Sequence, residues 1–204
     1  MGQYAVDIVR AAKYHSVGTV EFLLDQDKNF YFMEVNTRIQ VEHTITEELT
    51  GTDLVKEQLR IAMGEKLKLK QKDVEFKGHV IQCRINAENP GTNFTPSPGN
   101  LEYYIPPGGP SVRIDSACYA GYRIPPNYDS MIAKLIVKGK DREEAIAIAK
   151  RALKEFHIGG VHSTIPFHLY MFEDERFLSN DYTITYIDQL ISEGCSFGVK
   201  NDGT

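Results

Sequence analysis

The chain has 204 residues, 42% hydrophobic and 25% charged, with a formal net charge of −5 at pH 7, enough for one large or two small domains with a real core. An acidic balance without a dense Lys/Arg block argues against a nucleic-acid surface, so anionic substrates must be held by local groups. No apolar run is long enough to cross a bilayer, residues 1–10 lack a signal-peptide core, and Cys83, Cys118 and Cys195 show no Cys-x-x-Cys spacing, which together predict a cytoplasmic protein with neither membrane contact, zinc site nor disulfide framework.

Residues 3–14 read as a helix, with Val6, Val9 and Ala12 at helical spacing. Residues 19–24 and 30–35 read as two strands joined by the polar turn Gln26-Asp27-Lys28-Asn29. Pairing Asp25 with Phe30 places Glu21 across from Glu34, and like charges at that separation repel unless something positive lies between them. A divalent cation is the simplest remedy. Glu21, Glu34 and the neighbouring amide of Asn36 offer hard oxygen ligands suited to Mg²⁺ or Mn²⁺. From Glu34 to Glu42 the chain alternates Glu34, Asn36, Arg38, Gln40 and Glu42 with Val35, Thr37, Ile39 and Val41. Taken alone, this is also the pattern of an edge strand with a solvated face. A fully extended run would separate Glu34 and Glu42 by roughly 26 Å, so the chain is expected to leave strand geometry after about Asn36.

Thr52-Asp53 offers an N-cap for a helix that stops at Gly64, and residues 65–76 form a lysine-rich connector. Beyond Gly78 the pattern turns to short strands, over residues 79–88, 101–105 and 112–115, punctuated by Pro/Gly clusters. Arg84 falls on a polar strand face, where Glu88 or Asp129 would be ordinary ion-pair partners. Residues 131–137 read as an apolar strand and 143–156 as the clearest helix, with capping-box spacing between Asp141 and Glu144. The last part is expected to hold a short helix, a strand over residues 182–187 and a frayed tail over 195–204.

The run Phe32-Met33-Glu34-Val35-Asn36-Thr37-Arg38-Ile39 resembles the metal-binding signature of ATP-grasp enzymes, and its continuation Gln40-Val41-Glu42-His43 resembles biotin carboxylase. Cys83-Arg84-Ile85-Asn86-Ala87-Glu88, Pro96-Ser97-Pro98-Gly99 and residues 128–135 extend the likeness in order through most of the chain. Carbamoyl-phosphate synthetase shares the Glu34, Asn36 and Arg38 element and departs at Gln40 to His43.

The resemblance implies an α+β fold: the C-terminal part of an ATP-grasp antiparallel sheet with helices over residues 1–76, then a biotin carboxylase C-terminal domain over 77–204, a small antiparallel sheet or partial barrel with packed helices. It implies an ATP-dependent ligase that uses bicarbonate to carboxylate biotin on a carrier protein through carboxyphosphate. The carboxyl carrier, a carboxyltransferase of the acetyl-CoA or pyruvate carboxylase kind, and a second copy of the chain are the implied partners. By the same resemblance Arg38, Gln40 and Val41 bind bicarbonate, Glu42 is the general base, Arg84 faces the biotin enolate, and Leu23 and Ile184 pack on adenine. None of the 16 glycines forms the Gly-rich flap that an ATP-grasp enzyme places over the triphosphate, so the chain is expected to be a C-terminal fragment, inactive alone. A dimerisation or interaction module without nucleotide affinity is the alternative from another class.

Overall fold

The structure is a computed structural model that describes residues 1–198. The chain divides into two compact units, Met1–Lys77 and the part from Gly78 onward. The first unit runs α1 (Gly2–Ala11), β1 (Thr19–Leu24), β2 (Phe30–Asn36), α2 (His43–Thr50) and α3 (Leu54–Ala62). Helix α1 stops three residues before the expected end because Lys13 takes φ 52°, a left-handed turn that no helix continues through. Asp53 caps α3, its side chain accepting from the backbone N–H of Lys56.

The second unit holds β3 (His79–Asn86), β4 (Glu88–Asn89), β5 (Thr95–Pro96), β6 (Gly99–Asn100), β7 (Tyr103–Ile105), β8 (Val112–Ser116), β9 (Arg123–Ile124), β10 (Met131–Gly139), α4 (Arg142–Glu155), β11 (His157–Gly159), α5 (Ile165–Met171), α6 (Glu175–Ser179) and α7 (Tyr186–Ser192). Its centre is an antiparallel sheet of order β3-β10-β8, with α4 packed on β10 and β3. Ala145, Ala149 and Ala152 are fully buried and let α4 lie close against Ile85, Leu135 and Val137. Asp141 caps α4 through the N–H of Glu144, while Glu144 reaches back one residue further than a capping box requires, accepting from the N–H of Lys140.

The architecture is α+β with antiparallel sheets, as expected, but the partial-barrel option does not form. Among the described residues the other strands pair only two by two, because β4, β5, β6 and β9 are two residues long and too short to extend the central sheet. The strand expected over residues 182–187 is also absent: Tyr186 opens α7. It is buried, and its hydroxyl donates to Asp174 Oδ2 at 2.7 Å, which ties the segment to α6 instead of to a sheet. The tail expected to fray does not do so at its start. Phe197 is fully buried in a second cluster with Met171, Tyr186 and Leu190. The rest of that stretch, beyond Gly198, lies outside the described residues.

Candidate functional site

In the first unit the loop between β1 and β2 is closed by Asp25, whose Oδ1 accepts from the backbone N–H of Asn29 at 2.7 Å and whose Oδ2 accepts from its side-chain amide at 3.0 Å. The amide of Asn29 is the main reason the Asp25 carboxyl sits below its ordinary range. Closure places Leu24, not Asp25, opposite Phe30, one residue off the expected register. Kept to the end of the hairpin, that register would set Glu21 against Met33 and turn Glu34 to the other face. A β-bulge between Glu21 and Phe22 absorbs Met33 as an extra residue, and the pairs beyond it are Glu21 with Glu34, Val20 with Val35 and Thr19 with Asn36. The two carboxylates therefore face one another as expected, by a route the spacing did not reveal.

Asn36 Nδ2 donates to Glu21 Oε1 at 2.8 Å and to Glu34 Oε1 at 3.1 Å, so one amide group lies between the two acids. Gln40 Nε2 also donates to Glu21 Oε1, at 2.9 Å, and Arg38 donates to Asn36 Oδ1 at 3.3 Å. The amide N–H₂ supplies the positive end that two facing carboxylates need. Turning it end for end presents Oδ1 in the same place, giving three hard oxygens around one point. The donor set thus fits a divalent cation, with two carboxylates and an amide where a group of three acidic, His or Cys ligands is not found among the described residues.

Strand β2 ends at Asn36, and the chain turns through Arg38, Gln40 and Val41 to Glu42, the N-cap of α2. Glu42 is exposed, and its carboxylate makes no capping bond to α2. His43 is held in place by its own partners: Nδ1 lies 2.7 Å from Gln40 O, to which it must donate, and Nε2 is 4.0 Å from Glu47 Oε2. Glu47 is buried and its Oε1 accepts from the N–H of Leu54, which joins α2 to the start of α3. Leu23 stands exposed on β1.

In the second unit Arg84 lies on β3 with an exposed side chain, in register with Lys134 of β10, which in turn pairs with Asp115 of β8. Lys134 is buried, its Nζ 3.5 Å from Asp115 Oδ2. Burial pushes the Asp115 carboxyl up, and the chelating Arg113 and Lys134 outweigh it and hold the group below its ordinary range. Of the acids expected beside Arg84, Glu88 Oε1 accepts from Ser130 Oγ and Asn86 Nδ2, and Asp129 Oδ1 from the N–H of Met131. Ile184 is fully exposed and lines an apolar cavity of about 380 Å³ with Phe167, Met171, Phe177 and Ile187. Sequence reasoning missed Thr164 and His168, which both bond the Arg84 carbonyl oxygen. Their partners lie some 80 residues away, and no linear pattern links them.

Residues 1–70 match the ATP-binding domain of the carbamoyl-phosphate synthase L chain, which sets the first unit in the ATP-grasp class. Residues 82–189 match the biotin carboxylase C-terminal domain, and the chain belongs to the biotin carboxylase family. Biotin carboxylase 1 of Bacillus subtilis (strain 168) is 58% identical over 189 residues, covering 92% of this chain and 42% of that protein. The biotin carboxylase of Nostoc sp. is 53% identical over 190 residues, covering 93% of this chain and 42% of that protein. The biotin carboxylase domain dimer of Hydrogenobacter thermophilus 2-oxoglutarate carboxylase, solved with MgADP, ADP and bicarbonate, superposes with a TM-score of 0.90 at 44% identity, covering 98% of this chain and 44% of that one. The chain thus spans about two-fifths of the length of the curated relatives it matches.

Proposed function

We propose that the chain is the C-terminal portion of a biotin carboxylase, an enzyme that spends ATP and bicarbonate to carboxylate biotin on a carrier protein. The observation that carries this reading is the convergence of Glu21, Glu34, Asn36 and Gln40 at the end of a hairpin, with Arg38 bonded to the same amide. Glu21, Glu34 and Asn36 would hold Mg²⁺ or Mn²⁺, which would supply positive charge to offset the negative charge of the nucleotide in phosphoryl transfer. The Arg38 guanidinium offers a planar fork for bicarbonate, with Gln40 and the Val41 backbone orienting it. Bicarbonate oxygen attacks the γ-phosphate, releasing ADP and leaving carboxyphosphate. Carboxyphosphate then splits into CO₂ and phosphate, and the deprotonated ureido nitrogen of biotin captures the CO₂. Glu42 takes the proton of bicarbonate, or later that of biotin. Arg84 balances the enolate oxygen of biotin, and Leu23 and Ile184 pack on adenine.

The carrier, a carboxyltransferase and a second copy of the chain are the partners this reading implies, in a cytoplasmic setting; no helix of the described residues is long and apolar enough to cross a membrane. The test joins this chain to the N-terminal segment of the B. subtilis relative and follows bicarbonate-dependent phosphate release. The reading expects turnover from the joined protein, little from the 204-residue chain alone, and a loss of about 100-fold or more in kcat for Glu42→Gln with ATP affinity kept. Robust turnover by the isolated chain, or an unchanged kcat in the Glu42→Gln protein, would overturn it.

A further inference from the structure

Strand β3 is an edge of the central sheet, so the backbone groups on its outer side need partners from outside the ladder. At Arg84 and Asn86 those partners come from a segment 78 to 84 residues further along the chain. Thr164 Oγ1 donates to the Arg84 carbonyl at 3.0 Å and accepts from the N–H of Asn86 at 3.0 Å, while the Thr164 N–H donates to the Asn86 carbonyl at 3.1 Å. His168 Nε2 lies 2.9 Å from the same Arg84 carbonyl. A carbonyl oxygen only accepts, so Nε2 carries the hydrogen, and both lone pairs of this oxygen are engaged. Thr164 is 5% exposed and its hydroxyl is used as donor and acceptor at once. Closing a strand edge needs one bond per carbonyl. The second bond, from a side chain one helical turn beyond Thr164, fixes the plane of the Arg84 peptide from another direction.

We propose that Thr164 and His168 are positioning residues that aim the Arg84 guanidinium at its substrate. This rests on the role given to Arg84 above. A guanidinium at the end of a flexible stem is aimed only as well as the peptide it springs from, and misplacement by about 1 Å is enough to cost up to about 100-fold in rate.

The variants are His168→Phe and Thr164→Val, which remove the donors at similar volume, and His168→Gln and Thr164→Ser, which return them. In the joined protein described above, the first pair lowers kcat for biotin carboxylation by about 10- to 100-fold with KM for ATP within about twofold, and the second pair recovers most of it. A kcat that stays within about threefold, or one that falls only with the folded fraction and is not recovered by His168→Gln, overturns the proposal. Arg84→Met in the same protein separates the two levels. If Arg84→Met is inactive and His168→Phe normal, the positioning role fails alone; if Arg84→Met turns over normally, the role of Arg84 fails and its positioning with it. A second measurement needs no turnover: in the 204-residue chain, the carbonyl ¹³C shift of Arg84 and the order parameter of its Nε–H are read by NMR. Both fall in His168→Phe and Thr164→Val and return in His168→Gln; values unchanged in all four variants overturn the proposal.

Discussion

Glu21 meets Glu34 only because Met33 is bulged out of the hairpin. Spacing alone made the meeting of the two acids legible, but not its route, since loop closure is decided by the side-chain bonds between Asp25 and Asn29. Asn36 is the residue on which the pair depends. Asn36→Asp replaces a bridging N–H₂ by a third negative charge, and in the absence of divalent cations it should destabilise the first unit by about 1–2 kcal/mol. Millimolar Mn²⁺ should restore part of that, as read by thermal melting; a melt indifferent to both the substitution and the cation would separate the amide from any metal role. Gly78 makes a second prediction at this scale. It has φ +79°, and an added Cβ would meet the Gly139 carbonyl oxygen. Gly78→Ala should therefore cost about 1–3 kcal/mol in urea denaturation.

Helix α4 was the most legible element because its signals agree: good helix formers, an Asp cap and an alanine stripe. Asp141→Ala should lower stability by about 1 kcal/mol, checked by chemical denaturation. The segment 182–187 failed for the opposite reason. Its alternation of Thr, Ile and Tyr favours a strand locally, but Tyr186 is claimed by Asp174 and by the Arg176 guanidinium, which lies 4.5 Å from the ring centroid. Tertiary partners outweigh propensity there. Phe197 is a similar case, since nothing in residues 195–198 forms an amphipathic pattern, yet the ring closes a cluster with Phe94, Phe167 and Tyr170.

At the scale of the molecule the two units differ in how much they bury. Among the described residues the first unit buries only Thr44 and Glu47, while Leu23, Leu24, Tyr31, Phe32, Leu59 and Met63 stay exposed; the second holds every fully buried hydrophobic side chain. Amide exchange should accordingly be fast in β1 and β2 and slow in β3 and β10. Acid should weaken the second unit in two stages. Burial holds the His168 imidazole below its ordinary 6.5, against the pull of the Arg84 carbonyl. The unfolded chain then binds the extra proton first, and stability falls as pH drops below about 6.5. Asp115, held below 3.8, contributes stability that is present above that value and lost as pH falls further through its folded pKa. In denaturation series across pH 3–7, Asp115→Asn should flatten the lower stage and His168→Gln the upper one. The most direct measurement of the central claim is Mn²⁺ titration of the ¹⁵N-labelled 204-residue chain: paramagnetic broadening should centre on Glu21, Glu34 and Asn36 and vanish in Glu34→Gln, whereas broadening centred elsewhere, or unchanged by that substitution, would contradict a cation shared by the two facing carboxylates.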